Sequence, residues 1–574
     1  MNRRPAVVAD TTSIDEAMKR WEETVRAPSL AVRPETRDEF KTLSGQTVKP
    51  LYTPLDLDGI DYLRDIGFPG QFPFTRGRTP NGYRSFKWPH DFYSGYGSGE
   101  SANQRYRELV KHGATVITLA LDLPTQIGLD STDPLAEGEV GKAGVALASL
   151  ADAERVLDGV DLARTGLGFV ANGIGPYALA IALAVAEKRG LDPADLRHFR
   201  IQNDPLKEYT GRNTHIFPVP MAVEMATDVV EYINRNFKDK WLWQWVPQYV
   251  CSTQMRWGGM NAAQEVGFML AHFFNYVDSA LARGLPIASV VSKMEWHAST
   301  DLDLFEEVAK YRAGRRLFAR LMKERYQCDD PEVLGLRVST WTTGDHLTAQ
   351  QPLNNLARIS MSVLAAFLGG AEHIWAPAYD EALALPTSES TRIANQVKYV
   401  IHHECGLENT VDPLAGSYYV EKLTCAIEEE AIGWLNEIDR RGGVAAAVDQ
   451  GFYQREALRG MHRYQMELET GQRKKVGINL FPAGDELPLN LFQVDPQDEQ
   501  RQIQRVIELK AKRDGRLVQQ RLNELAETAA RKVADKRVNT VPAMLAAVRA
   551  YATVGEIHAV LRQAFGTFKP PVSL

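Results

Sequence analysis

The chain has little cysteine: four in 574 residues, Cys251, Cys328, Cys405 and Cys425, with no two at Cys-x-x-Cys spacing. That spacing is what a zinc ribbon or a redox pair requires, and so few thiols build no disulfide framework. Reduced thiols of this kind suit a cytoplasmic protein. Histidine is also scarce, 12 residues not clustered with acids, so no metal cage is expected. No run approaches 18 uninterrupted apolar residues, and no membrane-spanning helix is expected. The opening MNRRPAVVADTTSIDEAMKRW has basic residues but no apolar core, so it does not read as a signal peptide. Net charge is −7 with no concentrated basic tract, which argues against nucleic acid as a partner. The phosphate-cradling patterns Gly-x-Gly-x-x-Gly and Gly-x-x-x-x-Gly-Lys-Ser/Thr are missing, as is a serine nucleophile elbow.

What is present is a rhythm. After a polar, proline-punctuated arm (1–65), in which Thr12 or Ser13 is placed to cap a helix from Ile14 to Arg26, short β-branched runs alternate with amphipathic stretches to about residue 400. Strands are expected at Phe86–Ser94, Thr115–Leu121, Thr165–Ala171, Phe199–Gln202, Trp245–Ser252, Ala288–Met294, Leu334–Trp341 and Glu372–Trp375. Strand–helix alternation points to an α/β fold with a parallel sheet, and eight strands point to a (β/α)8 TIM barrel over 66–400. A doubly wound open sheet is the alternative. Residues 401–574 carry heavily charged helical segments, Val420–Arg440, Gly443–Gln465 and Gln497–Lys532, and are expected to form a helical cap or linker region.

In such a barrel, function collects at the C-terminal ends of the strands. The strand ends nominate Tyr93, Asp122 to Thr125, Asn172, Gln202 to Asp204, Gln254, Lys293, Glu295, Trp341 to Thr343 and Trp375, with Lys207 and Arg212 in the loop after strand four. These residues supply hydrogen-bond donors, aromatics and one prominent arginine. Such a set orients a polar ligand and leaves the difficult chemistry to a cofactor.

The segments GFPGQFPFTRG, DLPTQIGLDSTDPLAEGEVGKAGVA, IQNDPLKEYTGRNTHIFP, LTAQQPLNN, DEALALPT and VDPLAGSYYVE occur in order between Gly67 and Glu421. They resemble the signature blocks of the methylmalonyl-CoA mutase superfamily, with weaker similarity over most of the chain. The resemblance implies a barrel that threads acyl-CoA along its axis, with adenosylcobalamin at the C-terminal mouth providing the radical for a carbon-skeleton rearrangement. The superfamily's cobalamin domain carries Asp-x-His-x-x-Gly, which this sequence lacks; Asp345–His346 has the wrong spacing. The cobalt ligand is therefore expected from a separate small cobalamin-binding subunit, in a hetero-oligomer of two large and two small chains.

Carried over by resemblance, Tyr93 and Arg212 are expected to meet a free substrate carboxylate, and Gln202 the thioester region. Tyr83, Thr118, Lys293 and Trp341 are expected to contact acyl-CoA, with Lys293 near its phosphates. Gly95, Leu121, Leu123, Gly344 and Glu381 are expected to face the cofactor. The departures fall around the same site. Gln254 stands where the superfamily has a histidine that hydrogen-bonds the thioester carbonyl, and Thr253 where it has a tyrosine. Trp257, Asp345, Trp341, Trp375 and Pro377 replace the usual residues near the mouth. FKWPHDFYSGYG lacks the usual arginine pair. The resulting expectation is a mutase for a dicarboxylic acyl-CoA other than methylmalonyl-CoA, of the benzylmalonyl-CoA/phenylsuccinyl-CoA type. Three alternatives stay open: a methylmalonyl-CoA mutase with an atypical site, a mutase for branched or hydroxylated monocarboxylic acyl-CoA, and a catalytically silent scaffold.

Overall fold

The computed structural model describes residues 13–85, 91–237, 245–482 and 490–571. Thr12 and Phe86 to His90, included in the expectations above, lie outside these residues.

Among the described residues, nine parallel strands form two sheets. The first joins β1 (Asp91–Ser94), β2 (Val116–Leu119), β3 (Gly166–Val170), β4 (Phe199–Gln202) and β5 (Trp245–Val246) in that order. The second joins β6 (Gln248–Cys251), β7 (Met294–Thr300), β8 (Val338–Thr342) and β9 (His373–Trp375). Pro247 separates β5 from β6. Lacking an N–H, it cannot donate to the ladder, so the single strand expected over Trp245–Ser252 becomes two. Helices connect the strands, as parallel pairing demands. β2 and β7 are buried along their whole length, as sheets covered on both faces require.

Two expected strands are corrected. Ile287–Val291 is a helix, entered through Pro286, and β7 begins only at Met294. Pro331–Leu334 is likewise helical, and β8 begins at Val338. Both stretches are β-branched or apolar, yet a proline with its preset φ sits at each helix start.

The helix Gly175–Lys188, GPYALAIALAVAEK, is apolar on every side and buried on nearly all of them. Such a helix needs neighbours all round. It has them in Val219–Asn236 and in Val541–Arg549 from the C-terminal region. Tyr418–Arg440 packs in the same way on Ala262–Ala282 and Leu304–Tyr326. Residues 401–574 thus share one continuous apolar core with the strands, through Ile427, Leu525, Val541 and Leu561 among others. The helix Ser388–Glu404 runs through the boundary expected at 400.

The arm begins with Ile14–Trp21, capped reciprocally by Ser13 and Glu16. Its helical course runs past the expected stop at Arg26, because Pro28 sits in the first turn of Ala27–Val32, where no N–H is needed. The arm docks at residues 43–44, where Leu43 N donates to Asp303 (3.1 Å) and Ser44 N to Glu306 (3.2 Å). No described helix is long and apolar enough to cross a membrane.

Candidate active site

Two adjoining cavities lie at the C-terminal ends of the strands. The inner one, about 180 Å³, is lined by Tyr93, Thr118, Gln202, Arg212, Gln254 and Trp341, among others. These are six of the residues nominated from sequence, brought together from four strands and two turns. The outer one, about 320 Å³, takes in Gly95 and Glu381. Tyr93, Trp257, Trp341 and Trp375 border both.

Each side chain has a reason for its place. Tyr93 on β1 meets Trp341 on β8 edge to face, with centroids 5.5 Å apart. Burial pushes its phenol pKa up, and the nearby Arg212 charge works against that rise. Arg212 ends the turn Glu208–Arg212; its guanidinium donates to Gln126 Oε1 and lies 3.9 Å from Glu208. It is the one partly open cation of its loop, its side chain 31% exposed, while Lys207 is buried and donates to Gln202 Oε1 (2.9 Å). Gln254 is the second residue of the turn after β6 and accepts from Cys251 Sγ (3.4 Å). A Cβ on Gly211 would lie 2.8 Å from the Gln254 backbone, so only glycine lets the arginine loop approach the glutamine this closely. Asn203 and Asp204 are structural: Asp204 accepts from Tyr276 (2.6 Å) and from Cys251 N (2.6 Å), and both are fully buried.

An ionic knot ties the turn after β6 to β7. Glu265 accepts from Ser252 Oγ and Ser299 N (both 2.8 Å) and pairs with Lys310 (2.8 Å). Lys310 also pairs with Glu307 (2.5 Å), and Arg256, in the turn Thr253–Trp257, pairs with Glu307 (3.0 Å).

Glu381 lies against Gly344, where a Cβ would come within 2.4 Å of its carboxylate. Burial, then Asp380 and Asp345, push its pKa up to about 7. The native state therefore keeps a proton that the unfolded chain loses between about pH 4.5 and 7, and stability falls as pH rises through that window. Glu381→Gln is expected to remove this slope. Its melting temperature should match the parent near pH 4.5 and exceed it by about 1–3 °C at pH 8. Parallel curves across that range would refute the assignment.

Five nominated residues fall elsewhere. Leu121 is fully buried in the apolar core, and Leu123 opens a short helix; neither borders a cavity. Lys293 precedes β7 and is thus at the opposite end from the mouth. It donates to Asn234 (3.2 Å), and burial lowers its pKa to about 6. An anion there would have to restore its charge. Glu295, the second residue of β7, is corrected in the same way. Tyr83 lines a separate cavity with Arg76, Arg78 and Arg315, its hydroxyl on the Ala371 carbonyl (2.7 Å).

Sequence reasoning missed His297, Arg200 and Tyr249, which also line the inner cavity. The signal was there in MEWHAST: Trp296 packs outward on Tyr311 and His297 faces in, a period of two hidden by the misplaced strand.

Among the described residues no group of three or more His, Cys, Asp or Glu is arranged to hold a metal. Parallel strands with a cavity of fixed polar groups at their C-terminal ends, and a second cavity adjoining it, define an α/β protein arranged to hold and orient a polar ligand. The family described as Methylmalonyl-CoA mutase matches residues 41–567. The large subunit of 2-hydroxyisobutanoyl-CoA mutase from Aquincola tertiaricarbonis is 34% identical over 97% of this chain and 98% of its own length. Methylmalonyl-CoA mutase from Rhizobium meliloti is 34% identical over 96% of this chain and 76% of its own. The methylmalonyl-CoA mutase large subunit from Streptomyces virginiae is 32% identical over 92% and 71%. The chain belongs to the methylmalonyl-CoA mutase family and is an isomerase of the mutase class.

Proposed function

We propose that this chain is the acyl-CoA-binding large subunit of an adenosylcobalamin-dependent mutase for an aryl-substituted dicarboxylic acyl-CoA. The observation that carries the reading is the composition of one cavity: Arg212 and Tyr93 beside a wall of Trp257, Trp341 and Trp375. The guanidinium offers a fork that matches a carboxylate, and the indoles offer apolar faces to a ring. The two sheets are read as one closed (β/α)8 barrel: β4 packs on β6 across the Pro247 break, and β9 lies beside β1. The axis then carries the pantetheine arm, with Tyr83 and Lys293 at the far end toward the CoA phosphates.

The outer cavity fits the adenosyl side of the cofactor. Glu381 suits a ribose hydroxyl, and Gly95 and Gly344 leave room where a Cβ would collide. The relative named as a large subunit is matched over 98% of its own length, which supports a separate small subunit carrying the cobalamin, here proposed as a two-plus-two assembly in the cytoplasm. When bound, adenosylcobalamin supplies the radical that takes a hydrogen atom from the substrate. This chain's residues do the rest: Arg212 holds the free carboxylate, Gln254 donates its amide N–H to the thioester carbonyl, and the tryptophans exclude water from the reacting carbons.

The relative acting on 2-hydroxyisobutanoyl-CoA favours a monocarboxylic substrate, but Arg212 in the cavity speaks against it. The test is turnover by this chain with a cobalamin-carrying small subunit and adenosylcobalamin. Benzylmalonyl-CoA should be converted faster than methylmalonyl-CoA. An equal or greater rate on methylmalonyl-CoA sinks the aryl assignment, and no turnover of either favours the scaffold. Gln254→His should not raise turnover, because Cys251 Sγ donates to the glutamine oxygen and the exchange would break that bond. A clear gain would show the site to be a degraded version of the usual one.

A further inference from the structure

The inner cavity holds an imidazole that the reading above leaves without a task. His297, the fourth residue of β7, is 6% exposed and borders the cavity. Tyr249 and Trp375 meet it edge on, at 5.9 and 4.9 Å between centroids, so the ring cannot turn freely. Its Nδ1 is 3.0 Å from Ser339 Oγ. The serine hydroxyl spends its own proton on the Glu295 carboxylate or on the Trp296 carbonyl at 3.5 Å. Ser339 Oγ therefore accepts, Nδ1 carries the hydrogen, and Nε2 is left as a bare lone pair. That nitrogen has no partner among the described residues. Burial, with Lys207 and Arg200 nearby, holds the pKa down at about 3, so the ring is neutral at any working pH. A rigid, neutral, buried acceptor facing a cavity calls for a donor on the ligand.

We infer that His297 Nε2 accepts a hydrogen bond from the cysteamine amide N–H of the bound acyl-CoA, fixing how far the acyl group reaches toward the mouth. The inference rests on the acyl-CoA reading. In such a ligand the carboxylate is ionised and the thioester carbonyl only accepts, so the pantetheine amides are its donors on this side. The depth agrees. His297 lies three residues before the end of β7, roughly 10 Å below the mouth at about 3.3 Å per residue. That is about the span from a carboxylate at Arg212, through the thioester, to the first amide. His297 is thus a positioning residue: it sets the register of the acyl group against Tyr93 and Gln254.

The test is binding by the full chain, read from tryptophan fluorescence, with succinyl-CoA as the probe. Its analogue has an ester oxygen in place of the cysteamine amide N–H. The parent chain should bind the ester about tenfold more weakly than the amide. His297→Phe keeps a ring against Trp375 and removes Nε2. It should bind the amide about tenfold more weakly than the parent does and should no longer distinguish amide from ester. His297→Gln, which restores an acceptor oxygen, should recover part of the discrimination. Equal binding of the two ligands by the parent overturns the inference without recourse to any variant. So does a His297→Phe chain that still distinguishes them. The acyl-CoA reading fails separately, by absence of succinyl-CoA binding or by its indifference to Arg212→Ala.

Discussion

Arg212→Ala is expected to cut turnover by about two to three orders of magnitude while shifting the melting temperature by less than about 2 °C. The first half follows from what the guanidinium faces. A carboxylate drawn into a cavity walled by Trp341, Trp375 and Phe169 loses most of its water. Losing the partner of such a charge costs about 2–5 kcal/mol, at 1.4 kcal/mol per decade. The second half follows from what the guanidinium touches in the chain itself. Its partners are Gln126 and, at 3.9 Å, Glu208, and Gln126 keeps its own bond to the Leu121 carbonyl. Arg212→Lys should fall between, since an ammonium keeps the charge and loses the fork. Steady-state kinetics beside thermal unfolding decide it: a large fall in melting temperature with unchanged rate would make Arg212 structural.

Lys310→Met is expected to do the reverse, lowering stability by about 3–5 kcal/mol. Lys310 is fully buried between Glu265 and Glu307 and also donates to the Ser299 carbonyl (2.5 Å). Removing it leaves two carboxylates facing each other without water. Glu265 would suffer most, because it also clamps Ser252 after β6 and Ser299 on β7. Arg256 would then be left to neutralise both acids alone. Pairing Lys310→Met with Glu265→Gln should recover part of the loss, since a knot stripped of charge costs less than one left unbalanced. Denaturant titration of the two variants measures both numbers. A loss below about 1 kcal/mol for the single change would show that water reaches the knot.

How much of this could be read in the chain depends on the kind of signal. Phe199–Gln202 was legible to the residue, because a short alternating run stands between a loop and the proline that opens the next turn. The run Ala288–Met294 misled because Val290 and Val291 carry strand propensity while packing into the core as a one-turn helix. That error shifted the strand end by six residues. It set Lys293 at the mouth, when it lies at the other end, and it hid His297. The C-terminal helices were legible as helices from their periodicity. That they complete the same core was not, because an apolar stripe names no partner. Tyr93, Arg212 and Gln254 were nominated by their places at strand ends and in the loop after strand four, and their roles came by resemblance. Their meeting in one cavity depends on long-range packing, such as Gly211 against Gln254, which no local pattern records.

The four side chains shared by the two cavities carry a thermodynamic consequence. Tyr93, Trp257, Trp341 and Trp375 are a common wall, and a rotamer that suits one occupant decides the room left for the other. Ligands on the two sides cannot bind independently: whatever factor the first adds to the affinity of the second, the second must add to the first. With three of the four being indoles, this reciprocity should be visible as a fluorescence change that depends on both ligands and not on their order of addition.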